Sequence, residues 1–300
     1  MFADRCAQAG VLRCVGFDST SVISGGRDGD ISGITSGAST PQIDTAVRAS
    51  GGGSLKFTIP ANSPADTSGS FFINFSDNLA TQFGANEEFY VQWRQRFSPE
   101  MIATRYAGGG GFKQIIIGTG DKPGQVYYSC TDLETVVSNY QQSGFPIMYN
   151  SCSGSASHPP YDGFYQPFGQ FDFKLQNARP SPYCLYSQSG SNFANGNCFN
   201  YVANEWMTFQ IRIKLGARVG DEWVNSTVQM WAAREGKPSE LVVDWGPYNM
   251  TAGSAAEDQR FGKVWLLPYN TGKSASTTYP VAYTWYDELI VSRNKIADPK

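Results

Sequence analysis

In the stretch EWMTFQIRIKL, residues 205–215, apolar and polar side chains alternate almost without interruption. Met207, Phe209, Ile211, Ile213 and Leu215 share one face, and Trp206, Thr208, Gln210, Arg212 and Lys214 share the other. A two-residue period with one apolar face is that of an antiparallel strand buried on one side and wet on the other. EEFYVQWRQRF repeats the pattern, with Phe89, Val91, Trp93 and Phe97 inward and Tyr90, Gln92, Arg94 and Arg96 outward. In SLKFTIP the inward residues are Leu55, Phe57 and Ile59, whereas SGSFFINFS is too short a run to assign a face. Further strands are expected in FKQIIIG, TDLETVVSN, STVQMWAAR, ELVVDW, KVWLLPY and TWYDELIVS. Only PEMIATRY, after Pro99, predicts a turn of helix. Thirty-two glycines and sixteen prolines supply the breaks between short elements. The expected fold is therefore all-β, two antiparallel sheets packed face to face as a single domain over 1–300. Residues 1–53 are expected to form an N-terminal arm and surface loop, and residues 140–200, rich in Tyr, Phe, Pro and Gly, to form long loops that cap a groove.

Charge and cysteine usage narrow the partners. With 23 basic and 26 acidic residues and no basic tract, the chain lacks the footprint needed to neutralise a run of phosphates, so nucleic acid is not expected. No apolar run reaches the roughly 18 residues of a membrane span, and nothing points beyond a monomer. Six cysteines, Cys6, Cys14, Cys130, Cys152, Cys184 and Cys198, form no CxxC pair, and His158 is the single histidine, which disfavours zinc. Six cysteines allow fifteen pairings; closing the shortest loops gives Cys6–Cys14, Cys130–Cys152 and Cys184–Cys198. Disulfides imply an oxidising compartment, and the opening MFADRCAQAG, without a leader's charged and apolar segments, reads as a secreted or periplasmic protein in its mature form with an added Met. Asn74, Asn225 and Asn249 begin Asn-x-Ser/Thr sequons.

The stretches RCVGFDS, FYVQWRQRFSPE, GGGGFKQIIIGTGD, VWLLPYNTGK and YTWYDELIVSRNKI together resemble the concanavalin A-like lectin/glucanase superfamily, and within it the jelly-roll polysaccharide lyases. The resemblance implies a concanavalin A-like jelly roll of two curved antiparallel sheets, the concave one holding a glycan; the long disulfide-stapled loops are read from the cysteine spacing itself. The resemblance also implies a groove lined by a strand of Arg and amide or acidic residues, a Gln-Ile-His strand and a strand ending in a catalytic Tyr. The matching positions are Gln92, Arg94 and Arg96, then Gln114-Ile115-Ile116, then Leu267-Pro268-Tyr269-Asn270; Ile116 stands in the place of the His. A secreted enzyme that depolymerises a polysaccharide, and specifically a lyase acting on a uronate, is the reading this supports.

β-Elimination needs a cation or amide at the uronate carboxylate, a base for the C5 proton and an acid for the leaving oxygen. Arg94, Arg96, Gln114, Lys113 and Lys273 suit the first task and Tyr269 the other two; His158 is the sole imidazole available. A hydrolase would instead use Asp132 and Glu134, on one face of their strand, since glycosidases place two carboxyl groups about 5–5.5 Å or about 6.5–9.5 Å apart. Glu88, Asp162 and Glu288 are the other candidates for the acidic partner. A lectin or carbohydrate-binding module with no catalytic residues is the third reading. Tyr90, Trp206 and Trp231, on outward strand faces, are candidate platforms for sugar rings. No catalytic cofactor is expected. The resemblance implies a structural Ca²⁺ site at Asp18 and Asp287, and Asp28 and Asp30 in RDGDISG form a further oxygen-rich loop.

Overall fold

The computed structural model describes residues 1–24, 32–35, 41–64, 68–107, 111–129, 131, 133–139, 146–150, 173–180, 184–186, 197–251, 255–270 and 272–300. Its strands in chain order are β1 (Val11–Val15), β2 (Ser32–Thr35), β3 (Gln42–Asp44), β4 (Ser54–Ile59), β5 (Ser70–Asn74), β6 (Glu88–Phe97), β7 (Lys113–Thr119), β8 (Glu134–Asn139) and β9 (Pro146–Asn150). They continue with β10 (Phe173–Gln176), β11 (Cys184–Tyr186), β12 (Met207–Lys214), β13 (Ala217–Val219), β14 (Glu222–Ala233), β15 (Glu240–Thr251), β16 (Phe261–Leu266) and β17 (Ala282–Ser292). Short helices α1 (Phe2–Cys6) and α2 (Pro99–Ala103) complete the outline. In α2, Pro99 follows the N-cap Ser98, whose hydroxyl accepts from the Met101 amide at 3.3 Å.

A nine-stranded antiparallel sheet runs β13-β14-β12-β6-β17-β4-β3, with β1 also on β17 and β15 on β14. A six-stranded sheet runs β2-β5-β16-β7-β8-β9. Their apolar faces meet in one core. Met207, Phe209, Ile211, Ile213 and Leu215 enter it as the alternation requires, together with Leu55, Phe57, Ile59, Phe89, Val91, Trp93 and Phe97. At about 25 cal/mol per Å² of apolar surface, each such side chain contributes roughly 1.5–3 kcal/mol on burial. The sandwich is all-β, as expected. The short run SFFINFS is apolar on both sides because both are buried: Phe71, Ile73 and Phe75 face the core, and Phe72 faces outward into a second cluster.

A polar centre is set into this apolar core. The Gln114 amide donates to Gln95 Oε1 at 3.0 Å, Tyr201 OH donates to Gln114 Oε1 at 2.6 Å, and Tyr286 OH donates to the Gln114 carbonyl at 2.7 Å. Gln95 in turn donates to Thr284 Oγ1 at 3.0 Å and accepts from Trp93 Nε1 at 3.2 Å. Burial pushes the Tyr201 and Tyr286 hydroxyls well above their ordinary range, so both are fixed as donors.

The N-terminal residues are more closely built in than an arm would be. β1 pairs with β17, β3 with β4 and β2 with β5, because each supplies edge strands that the sheets use. Two of the expected disulfides are present: Cys6–Cys14 ties α1 to β1, and Cys184–Cys198 ties β11 to the segment before β12. Cys130 and Cys152 lie outside the described residues. No helix among the described residues is long and apolar enough to cross a membrane.

Candidate functional site

The structure divides the expected groove among three places. β6 belongs to the nine-stranded sheet, whereas β7 and β16 belong to the six-stranded one. Gln92, Arg94 and Arg96 therefore emerge on one side of the sandwich and Tyr269 on the other, and they do not share a groove. Gln114 joins neither side. A register irregularity between Lys113 and Ile115 turns its amide into the polar centre between the sheets.

On the nine-stranded side the chain termini cover the expected groove residues. Arg5, from α1, donates to Gln92 Oε1 and to Glu288 Oε2, and all three side chains are buried. The C-terminal segment accepts from Gln92 at the Ala297 carbonyl, 3.2 Å, and exchanges two hydrogen bonds with Gln210 at Ile296. Arg94 stands 3.8 Å from Glu288 and 3.6 Å from Glu235, and donates to the Trp206 carbonyl. Tyr90 packs with Ile290 and Ile296, and Trp231 lies against the same cluster with the Lys295 ammonium 4.2 Å from its ring centre. Gln92, Arg94, Tyr90 and Trp206 are all buried. Tyr90 and Trp231 pack against the terminal segment, and none of these residues forms an open sugar platform.

The six-stranded side carries a different constellation. Outward residues of four neighbouring strands, Phe72, Ile116, Val136 and Trp265, join Leu267 in an apolar floor, against which Tyr149 and Tyr269 pack. Gly118 is needed there, since a Cβ would stand only 3.0 Å from the Trp265 ring. At one margin, the Lys113 amide donates to the Tyr269 carbonyl at 3.0 Å, and the Lys113 ammonium lies 5.5 Å from the Tyr269 ring centre. Burial pulls the Lys113 ammonium below its ordinary pKa, and the Glu134 carboxylate partly opposes this. Glu134 is itself buried and accepts from the Thr131 amide at 3.1 Å. At another margin, Lys263 donates to both Asp121 oxygens at 2.9 and 2.7 Å and to the Tyr127 carbonyl at 3.0 Å. Asn74 donates to Asp121 at 2.8 Å, so this pair is buried with its hydrogen bonds made.

Among the remaining candidates, Lys273 donates to the Ser63 carbonyl at 2.8 Å and to its hydroxyl, and burial lowers its pKa. His158, Asp132 and Asp162 lie outside the described residues. Glu88 pairs with Arg212, and both Glu88 and Glu288 lie on the nine-stranded sheet, so neither reaches Glu134. The structure brings Lys113 and Tyr269, both named from the sequence, side by side, whereas the sequence carries no signal for the floor of Phe72 and Trp265 or for Lys263 at its margin beyond strand alternation in KVWLLPY.

Asp18 accepts from the Gly52 amide, and Asp287 accepts from the Ala49 and Ser50 amides at 2.9 and 3.2 Å and from the Glu288 amide at 2.7 Å. Both carboxylates thus meet N–H donors and anchor the 49–52 loop. Asp28 and Asp30 lie outside the described residues, and among the described ones no group of three or more His, Cys, Asp or Glu could hold a metal ion. Burial raises Asp287 to about 7 against the pull of those amides. A carboxyl whose folded pKa exceeds its unfolded one contributes stability at low pH and loses it as pH rises from about 4 through about 7. Wild type is expected to lose on the order of 4 kcal/mol across that window relative to Asp287→Asn. Urea midpoints from pH 4 to 8 check this, and two parallel curves would exclude it.

No family model and no curated protein sequence matches the chain. In three dimensions it is similar to the PL-14 alginate lyase from Aplysia kurodai, with a TM-score of 0.53 and 12% identity over 94% of this chain and 99% of that one. It also matches an alginate lyase from Chlorella virus, TM-score 0.47 and 12% identity, over 95% of this chain and 100% of that one. A conserved carbohydrate esterase from the Shiga toxin-encoding bacteriophage phi24B matches at TM-score 0.43 and 12% identity, over the same shares. The likeness to the Aplysia protein shows a shared fold, a jelly-roll sandwich of two antiparallel sheets.

Proposed function

We propose that this protein acts on an extracellular polysaccharide at the outer face of the six-stranded sheet, cleaving a uronate-containing chain by β-elimination. The observation that carries the reading is the placement of the Lys113 ammonium against the Tyr269 ring at the margin of the aromatic floor. Apolar sugar faces suit Tyr149 and Tyr269, which are only partly buried where they pack on the floor, and a uronate carboxylate suits Lys113. With the carboxylate neutralised, the C5 proton becomes acidic. The deprotonated Tyr269 oxygen takes that proton, the C5 electron pair forms the C4–C5 double bond, and the C4–O bond breaks. The same proton, now on Tyr269, passes to the leaving oxygen, which restores the starting state. The two disulfides suit an oxidising compartment outside the cytosol.

One observation favours a binding protein without catalysis. Ile116, where the resemblance has an imidazole, is wholly buried in the floor, so the outward base of that strand is replaced by packing. A timed digest of alginate, glucuronan, pectin, xylan and neutral glucans separates the readings. New reducing ends accompanied by the ultraviolet absorbance of an unsaturated uronate are expected. Reducing ends without absorbance would mean hydrolysis, and retention of a glycan with neither signal would mean binding alone.

A further inference from the structure

On the nine-stranded sheet, beside the part covered by the chain termini, cations and aromatic rings alternate across the strands. Lys56 of β4 is directly opposite Trp285 of β17, and Trp285 is directly opposite Arg96 of β6. Leu55, Phe57 and Tyr286 point to the core, so Lys56 and Trp285 project outward, and Tyr283 projects two residues before Trp285. The rings of Tyr283 and Trp285 are 5.9 Å apart, with the Lys56 ammonium 4.5 Å from the first and 5.7 Å from the second. Lys56 and Arg96 are separated by two strand spacings, about 10 Å.

The charges of this row are only partly used. Asp44 accepts from Trp285 Nε1 at 2.9 Å and from the Ala46 amide at 2.9 Å, and stands 3.6 Å from Lys56, beyond hydrogen-bonding reach. The Lys56 ammonium makes no hydrogen bond among the described residues, and the side chain keeps 30% of its exposure. Arg96 reaches Asn204 Oδ1 at 3.4 Å, while its Nε is buried without a partner. A buried donor left unmade is costly, and this row offers the half-buried Tyr283 ring to an apolar sugar face and N–H groups to carboxylates, with the buried Trp285 ring behind them.

We propose that Lys56, Tyr283 and Arg96, half-buried around the buried Trp285 ring, form a second saccharide-binding surface, which holds an acidic polysaccharide lying across β4, β17 and β6. It takes from the proposed function only the class of ligand, and it lies on the opposite side of the sandwich from Lys113 and Tyr269. The surface binds without cleaving, and it tethers the protein to the polymer on which the other face works.

Native gels cast with alginate, polygalacturonate or a neutral glucan test it, alongside cleavage of a short soluble uronate oligosaccharide. Wild type is expected to be retarded by an acidic polymer at low salt and released near 1 M salt, where screening is nearly complete. Lys56→Gln and Tyr283→Ala, each with an unchanged thermal midpoint, are expected to weaken retardation about tenfold, as loss of a charge-assisted or stacking contact does, and to cleave the short oligosaccharide at the wild-type rate. Retardation unchanged in both variants, or equal in the neutral glucan, would overturn the proposal, whatever the cleavage assay gives. Retardation that depends on Lys56 in a protein that cleaves no glycan would support this surface and remove the lyase reading.

Discussion

Tyr269→Phe is expected to lower the rate of uronate elimination by a factor of 10² to 10⁴, the range that a positioned acid–base group contributes. The substitution removes one oxygen and leaves the ring that packs on the floor of Phe72, Ile116, Val136 and Trp265. Substrate binding is therefore expected to persist, with kcat reduced and KM little changed, as for an interaction made only in the transition state. Lys113→Met removes the carboxylate's partner and is expected to raise KM as well. Glu134→Gln discriminates against hydrolysis, because a buried carboxylate outside the elimination chemistry is expected to alter the rate only a few-fold. The pH profile adds an independent check. Since burial lowers the Lys113 pKa, the cation is lost at a lower pH than for an ordinary lysine, and the alkaline limb of kcat/KM is expected to fall correspondingly early. A Tyr269→Phe enzyme with wild-type turnover would refute this assignment.

Asp121→Ala is expected to cost about 3–5 kcal/mol, the cost of breaking a buried pair on one side only. Lys263 would keep the Tyr127 carbonyl but lose both carboxylate oxygens, and Asn74 would lose the acceptor for its amide. The ammonium cannot escape to water, since it is buried between the Phe72 and Trp265 rings at 4.6 and 5.1 Å. The urea midpoint is expected to fall with an unchanged slope, because the same surface is exposed on unfolding. Replacing both partners together, as in Asp121→Leu with Lys263→Met, is expected to recover most of the loss, because no uncompensated charge remains. A single variant within about 1 kcal/mol of wild type would show that the pair contributes little.

Strand alternation made the faces of individual strands legible but not their partners. Met207 to Leu215 and Phe89 to Phe97 point as their period-two pattern requires. Yet α2 and the segment after it carry the chain from β6 in one sheet to β7 in the other, and nothing in the periodicity of either strand records that crossing. Arg94 and Tyr269 consequently fall on opposite sides. Gln114 shows a second limit: a single register irregularity reverses a side chain that alternation alone would place outward. The covering of Gln92 by Arg5 and Ala297 was equally hidden, because a polar side chain buried by a polar partner carries the same sequence signature as one in water. Tyr269 is singled out by the family resemblance and Lys113 as a cation for a uronate, whereas the floor between them depends on the strand order.

The Gln114 centre bears on how the two layers stay aligned. Apolar contact is non-directional, so burial alone specifies less sharply than hydrogen bonding how far one sheet has slipped along the other. Hydrogen bonds do not tolerate such a slip: displacing one sheet along the other by a single residue would separate Gln114 from Gln95 and Tyr201 together and strand all three in the interior. The centre therefore works as a dowel between two smooth boards. Lys113 is the next residue in the chain, so the position of its ammonium is set by the same peg that holds the boards in line.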